Sequence, residues 1–599
     1  MSGNFMQLLQ GAAAQFQRGA FEAALEASET ALRQQPGHPE ALHMKALCLG
    51  RLGRVDEALP IFDQAAAGHP QKHAILANKG NALRAAGRFK DAIAEYESAI
   101  AAHPGFITAW ISLGLALRQA GEGARAEEVM RKTLSLAPGD VNALNNLGLL
   151  LEDQDRPEEA AAMFSAALEK QPSMHFARVN RGAALRKIGR IEEALADLRM
   201  AVTAAPNDAE TQYQYANALR QSGVMGEADS AFRRALAITP LRSDIHRDFA
   251  RMLWEEGVGA RFLEPLDMVL AQYPNAELLS LKSELAYLAG LPDLAEEAAS
   301  RALALDQAAP TPKRILGLVR RHHGDSAAAA EMFADALAAA PDDYETLHTL
   351  VETRLASGEF EEAVRLLDRE PPPDHLQKHI ALKANAMRLS GDPEYRLYYD
   401  YDRFTRKMFI EPPEGYADLA AFNAALVEAI LPLHRTAAHP LEQTLYGGTQ
   451  SVGRLWEEPH PLIQALKGQL LAAAARYVED LPDDPAHPFL CRKSKDLTCQ
   501  GAWSVVLASG GGHVDHIHPK GWISASYYVQ VPDEVAHGEK AGFLRLGASG
   551  LGGVTLEAER WFRPEVGAVI FFPSYMWHGV EPFASVRPRI TAPFDLAPR

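Results

Sequence analysis

The stretch His513-Val514-Asp515-His516-Ile517-His518-Pro519 puts three imidazoles and a carboxylate within six residues, ahead of an apolar run. Donors of these types suit a divalent transition metal. In an extended chain, residues two apart share a face, so His513 is expected to pair with Asp515 and His516 with His518. The two pairs would then point to opposite sides, and only one would meet the ion. A third donor must come from elsewhere, and His578 is the best placed, after the apolar run GAVIFF and a turn at Pro573-Ser574. Eleven residues on stands Arg589 at the head of a strand, with Arg587 expected on the same face. A planar guanidinium offers paired donors to a carboxylate. The set reads as a metal site with open positions beside a fixed cation for a dicarboxylate.

These residues need strands to hold them. WSVVLA (503–508), ISASYYVQV (523–531), GFLRL (542–546), GAVIFF (567–572) and RITAPFDL (589–596) have β-type composition between Gly- and Pro-rich turns. Two helical stretches precede them, ADLAAFNAALVEAILPL (417–433) and PLIQALKGQLLAAAARYVEDL (461–481). The expected architecture is a helix-flanked, mostly antiparallel jelly roll, an α+β domain over residues 400–599. His434, His460, His487 and His537 fall outside the ligand pattern and are expected at the surface. Cys491 and Cys499 have no histidine at ligand spacing and read as inert thiols.

The rest of the chain is a repeat. Pro36, Pro70, Pro104, Pro138, Pro172, Pro206, Pro240 and Pro274 recur every 34 residues. Twelve residues before each, as far as Pro240, stands an alanine: Ala24, Ala58, Ala92, Ala126, Ala160, Ala194 and Ala228. Seventeen before stands Gly19, Gly53, Gly87, Gly121, Gly189 or Gly223, with Asp155 the one substitution. Glycine fits the turn between two helices, alanine their close contact, and proline the end of the second. Each pair buries its apolar face only by stacking on its neighbours. Period and pattern resemble the tetratricopeptide repeat, about eight regular copies over residues 5–275. Proline then leaves register, with Ala308 where one is due, and degenerate helical pairs are expected over residues 276–395. By analogy of fold, the concave face of such an array takes a protein or peptide partner.

Composition narrows the remaining choices. The 599 residues are 47% hydrophobic and 23% charged, which excludes a disordered or collagen-like chain. A net charge of −17 argues against nucleic acid as the main partner. No apolar run reaches the length of a membrane helix, and the N-terminus lacks the charge pattern of a secretion signal. Three cysteines make no disulfide framework. A cytoplasmic protein without membrane contact is expected.

The C-terminal motifs together resemble the iron(II)- and 2-oxoglutarate-dependent oxygenases, and most closely a bacterial and phage subgroup often fused to tetratricopeptide repeats. The pieces that carry the likeness are His439-Pro440-Leu441-Glu442-Gln443, Gly447-Gly448-Thr449-Gln450 and HIHPKGWISASYYV (516–529). To these add Gly567–Phe572 with Pro573, Trp577-His578-Gly579-Val580 and Arg589-Ile590-Thr591. The resemblance implies a double-stranded β-helix with Fe(II) as metal and 2-oxoglutarate as cosubstrate. The subgroup's His-x-His-Pro pattern selects His516, His518 and His578 as ligands. Arg589 would then anchor the cosubstrate, helped by Thr591 and a tyrosine of the Tyr527-Tyr528 pair, Tyr528 foremost. The wider superfamily's His-x-Asp pattern selects His513, Asp515 and His578, with Arg587 as alternative anchor. Strand register decides between them. The implied reaction is oxidative decarboxylation to succinate coupled to hydroxylation of a protein or peptide side chain brought by the repeats. Two other readings stand beside it: a tetratricopeptide adaptor with an inactive jelly roll, and a cupin-like metalloenzyme that needs no 2-oxoglutarate.

Overall fold

A computed structural model describes residues 2–434, 444–451, 455–551, 554 and 556–599. The motif His439-Pro440-Leu441-Glu442-Gln443 lies outside the described residues. The chain divides into two compact units, Met1–Ile188 with Glu193–Ala205, and Gly189–Glu192 with Pro206–Arg599.

The first unit is a tetratricopeptide solenoid of helices packed in pairs, such as Pro39–Arg51 with Val55–Gly68 and Lys72–Ala85 with Phe89–Ala102. The sequence landmarks fall where their chemistry is needed. Ala24, Ala58, Ala92, Ala126, Ala160 and Ala194 are fully buried. Each proline stands two residues beyond a helix end, as Pro70 does after Gly68 and Pro104 after Ala102. Gly19, Gly53, Gly87 and Gly121 take left-handed φ of 74 to 80° at the inter-helix turns. Asp155 takes the same turn at φ 54° and is the one non-glycine residue with positive φ among those described. Aspartate is among the few residues that tolerate this conformation. A second small position lets paired helices touch: a Cβ on Gly148 would meet the Phe164 ring at 2.5 Å.

The second unit continues the helical pairs as far as Leu376–Leu389. One pair is irregular, its second helix shortened to Glu264–Gln272 behind a 3-10 turn at Gly259–Leu263. The glycine marker outlasts the proline marker: Gly290, Gly324, Gly358 and Gly391 all have φ between 71 and 85°. The last helices share one apolar core with the domain that follows, running from Val351 to Ala597. Arg388 donates to the carbonyls of Gly547 and Glu557 across that junction, and Tyr395 and Tyr401 both donate to the Glu559 carboxylate.

The C-terminal domain is an α+β fold on an antiparallel, curled sheet of the jelly-roll type. Its strands are β1 (Arg406–Phe409), β2 (Leu445–Gln450), β3 (Leu497–Ala502), β4 (Val505–His516), β5 (Ile523–Gln530), β6 (Leu544–Leu546), β7 (Arg560–Phe562), β8 (Ala568–Pro573), β9 (His578–Val580) and β10 (Arg589–Pro598). Their order is β1-β8-β5-β10-β4-β9-β6-β7, with β2 also on β4 and β3 on β10.

Two helices cover one face. Asp418 caps Leu419–Ile430 by accepting from the Ala421 N–H. Pro461 opens Pro461–Asp480 at a position where no N–H is missed, and Ile463, Leu466, Leu470, Ala473 and Tyr477 form its buried stripe. Tyr477 stacks on Phe571 of β8, with ring centroids 5.0 Å apart. A fully buried aromatic of this kind contributes about 2–3 kcal/mol. The alternation of β5 sorts its tyrosines: Tyr527 reaches the helices and donates to Asn423 Oδ1 at 2.9 Å, leaving Tyr528 for the opposite face.

Candidate metal centre

The uncovered face of β4, β5, β9 and β10 lines a cavity, and most of the sequence candidates meet there. His513, His516, His518, His578, Arg589 and Thr591 all lie on its wall. His516 and His578 are directly opposed in the β4–β9 pairing, with ring centroids 4.2 Å apart. His518 follows the end of β4, held by its backbone N–H donating to the Ser574 carbonyl at 3.0 Å. One ring nitrogen from each of His516, His518 and His578 lies within 4.8 Å of the others.

The surroundings fix which nitrogen each ring offers. His516 Nδ1–H donates to the Val514 carbonyl at 2.8 Å, and His578 Nδ1–H donates to the Met576 carbonyl at 3.0 Å. His518 Nδ1 lies 2.6 Å from both carboxylate oxygens of Asp595. All three Nε2 atoms are thereby left for the cavity, and those of His516 and His518 are 3.1 Å apart. Lone-pair nitrogens so close repel unless a proton or a cation lies between them. Burial, reinforced by the neighbouring imidazoles, holds His516 and His578 well below the ordinary histidine range. Neutral imidazole is the form that binds metal. Converging acceptors with every Nδ1 tied down are the donor set that a divalent transition metal takes.

The expected pairing of His513 with Asp515 on one face is not what the structure shows. Between His513 and His516 the register of β4 against β9 shifts: three steps on β4 match two on β9. This bulge re-aims the side chains, so His513 joins His516 and His518 in the cavity. Asp515 turns away and is held by Arg545, with Nε and Nη2 at 2.8 and 2.9 Å from its two oxygens. His513 and Asp515 therefore do not come together. Burial and the nearby Arg589 charge push the His513 pKa down to about 3.

Arg589 heads β10, 2% exposed, with its guanidinium carbon 5.0 Å over the Tyr528 ring. Burial pulls its pKa down, opposed by the Tyr528 phenol. Its Nε and the Tyr528 hydroxyl both lack a hydrogen-bond partner, and no carboxylate pairs with the guanidinium among the described residues. A buried cation without a counter-charge is costly, and an anionic ligand removes that cost. Arg587, the alternative anchor, is exposed on the loop before β10 and lies off the cavity wall, not on a shared strand face with Arg589.

Two other expectations change. His434 is half-buried between Thr449 and Ser504, 2.9 Å from each hydroxyl, and burial pushes its pKa down to about 4. His487 is buried and donates from Nε2 to the Leu397 carbonyl at 2.7 Å. Both brace the fold, whereas His460 and His537 are exposed. Asp595 was missed from sequence, although Arg589, Thr591, Pro593 and Asp595 alternate along β10. The period of two that aims Arg589 and Thr591 inward aims Asp595 inward as well.

Residues 501–595 match a family model described as "Putative 2OG-Fe(II) oxygenase". Tetratricopeptide models match residues 94–242 and 321–386, and a model of the N-terminal TPR repeats region of Psidin matches residues 14–111. Among solved structures, a tetratricopeptide repeat protein from Parabacteroides merdae is 20% identical, covering 41% of this chain and 96% of that one, with TM-score 0.34. Yeast Tom70 is 13% identical over 67% of this chain and 98% of its own, with TM-score 0.38. A thermophilic TPR protein of Thermus thermophilus is 26% identical over 30% of this chain and 98% of its own, with TM-score 0.26. No curated protein matches the chain. The chain is thus a tetratricopeptide-repeat protein whose C-terminal domain matches the 2OG-Fe(II) oxygenase family across the three clustered histidines.

Proposed function

We propose that the C-terminal domain is an Fe(II)- and 2-oxoglutarate-dependent oxygenase of hydroxylase type, and that the repeats bring it a protein or peptide substrate. The observation that supports this most is the convergence of three Nε2 atoms in one cavity with a buried, carboxylate-free guanidinium. In this reading His516, His518 and His578 hold Fe(II). Arg589 takes the distal carboxylate of 2-oxoglutarate through its paired donors, with Tyr528 and Thr591 beside it. Bound iron and cosubstrate would supply the oxidising power, with succinate as the product of the cosubstrate.

The chain's own residues do the rest. The Nδ1–H bonds to Val514, Met576 and Asp595 orient the rings before any ligand arrives. Trp503, Leu544, Phe572, Val580 and Pro593 make most of the remaining wall apolar, which limits water at the reacting centre. His513 lines the same cavity as the triad and Arg589.

The repeat half supports a macromolecular substrate, since stacked helix pairs present an extended binding surface that a small molecule does not need. No helix among the described residues is long and apolar enough to cross a membrane. Three cysteines in 599 residues are too few for a disulfide framework, which suits a reducing compartment such as the cytoplasm.

The test is succinate formation from 2-oxoglutarate by the Fe(II)-loaded full chain, with and without peptides captured on the repeats. Turnover should vanish in His516→Ala and His578→Ala. A chain that captures peptides but forms no succinate with any of them is an adaptor, and the oxygenase reading falls.

A further inference from the structure

The triad of the proposed centre consists of three imidazoles, so no protein ligand brings a negative charge to the ion. The sequence offers one carboxylate beside the histidines, Asp515, but its charge is taken up by Arg545. The carboxylate that backs the triad comes from the far end of β10, behind His518. Asp595 is 7% exposed, and both of its oxygens lie 2.6 Å from His518 Nδ1. The Ser524 hydroxyl donates to it at 2.7 Å, and the Ser524 and Ser574 hydroxyls are 2.9 Å apart. The backbone is pressed against this group: a Cβ on Gly521 would lie 2.3 Å from Ser574 Oγ and 3.3 Å from Asp595 Cβ.

Among the described residues no lysine or arginine pairs with Asp595, so its charge is directed at His518. His516 and His578, by contrast, rest on neutral carbonyls. The three rings are therefore unequal: one is backed by a full charge and two by dipoles. A carboxylate hydrogen-bonded to a ligating histidine fixes the ring and raises its basicity toward the metal.

We infer that Asp595 is a positioning residue that supplies, through His518, the charge the three-histidine donor set lacks, and that Ser524 and Ser574 hold it in place. This rests on the triad being a metal centre. The inference is about charge as well as orientation, and two substitutions separate the parts. Asp595→Asn keeps an oxygen that accepts the Nδ1–H bond but removes the charge, whereas Asp595→Ala removes both.

Co(II) binding to the full chain, followed by its visible absorption, is the readout, with His578→Ala as the control that loses the site. Charge transmission predicts that Asp595→Asn weakens Co(II) binding about 10- to 100-fold, close to Asp595→Ala, with the metal-free fold unchanged by circular dichroism. Asp595→Asn binding within twofold of the parent would overturn the inference and leave the triad standing. A parent chain that binds no Co(II) would remove the triad reading itself. If Asp595→Asn does not fold, the parent decides: in the Zn(II)-loaded chain the His518 Nδ1 nitrogen resonance should stand apart from those of His516 and His578. Three equivalent resonances would contradict the inference.

Discussion

Arg589 stacks over the Tyr528 ring with its Nε unpartnered, on the same cavity wall as the histidine cluster. Removing one partner of a buried, hydrogen-bonded charge pair costs about 2–5 kcal/mol. Arg589→Gln is therefore expected to raise the apparent dissociation constant for 2-oxoglutarate roughly a hundredfold, because 1.4 kcal/mol is about tenfold. Metal affinity should stay within a few fold of the parent, since Arg589 touches no proposed ligand. Isothermal titration of the Co(II)-loaded chain with 2-oxoglutarate measures this, and an unchanged constant would exclude Arg589 as the anchor. At this scale the sequence was readable wherever residue type and spacing carried the message. His516, His518, His578 and Arg589 could be named before any coordinate, and they do share one cavity. Asp595 could have been found by following the β10 alternation two residues past Pro593. The separation of His513 from Asp515 could not, because it depends on a bulge that only the partner strand reveals.

The elements that were easy to foresee are the ones with a period. Long strands such as β5 and β10 and the helix Pro461–Asp480 carry an alternation or a stripe, while β7 and β9, which the sequence did not mark, span three residues each. Three residues are too few to show a period, although β9 contributes His578. In the repeats, proline lost register after Pro274, yet the turn glycines continued to Gly391, because the turn needs left-handed backbone and the connection after the pair does not need proline.

His434 illustrates an element held by a histidine, since it bonds Thr449 on β2 and Ser504 just ahead of β4. Its pKa is lowered from 6.5 to about 4 by burial, so in that interval the unfolded chain binds the proton and the folded chain does not. Stability from this group is therefore whole above pH 6.5 and falls as the pH drops toward 4, by roughly 3 kcal/mol at most. The difference in denaturant midpoint between the parent and His434→Asn should narrow from pH 7 to pH 4.5. A gap that stays constant or widens would show that His434 is not buried as a neutral ring.

At the scale of the molecule, a tetratricopeptide solenoid and an oxygenase-type domain share one chain, and within the second unit the apolar core does not stop between the last repeats and the sheet. Val351, Leu355, Leu382 and Ala386 of the last helices belong to the same apolar cluster as Ile523, Phe571 and Phe594 of the sheet. Arg388, Tyr395 and Tyr401 add polar ties to the same junction. The degenerate repeats are thus part of what holds the sheet in shape, and experiments on the centre belong on the full chain. The most direct one loads that chain with Fe(II) without oxygen and titrates 2-oxoglutarate while recording the visible spectrum. The three-histidine centre with Arg589 predicts a saturable charge-transfer band in the parent that is lost in His578→Ala. A parent that retains no Fe(II), or a band that survives the loss of His578, would contradict it.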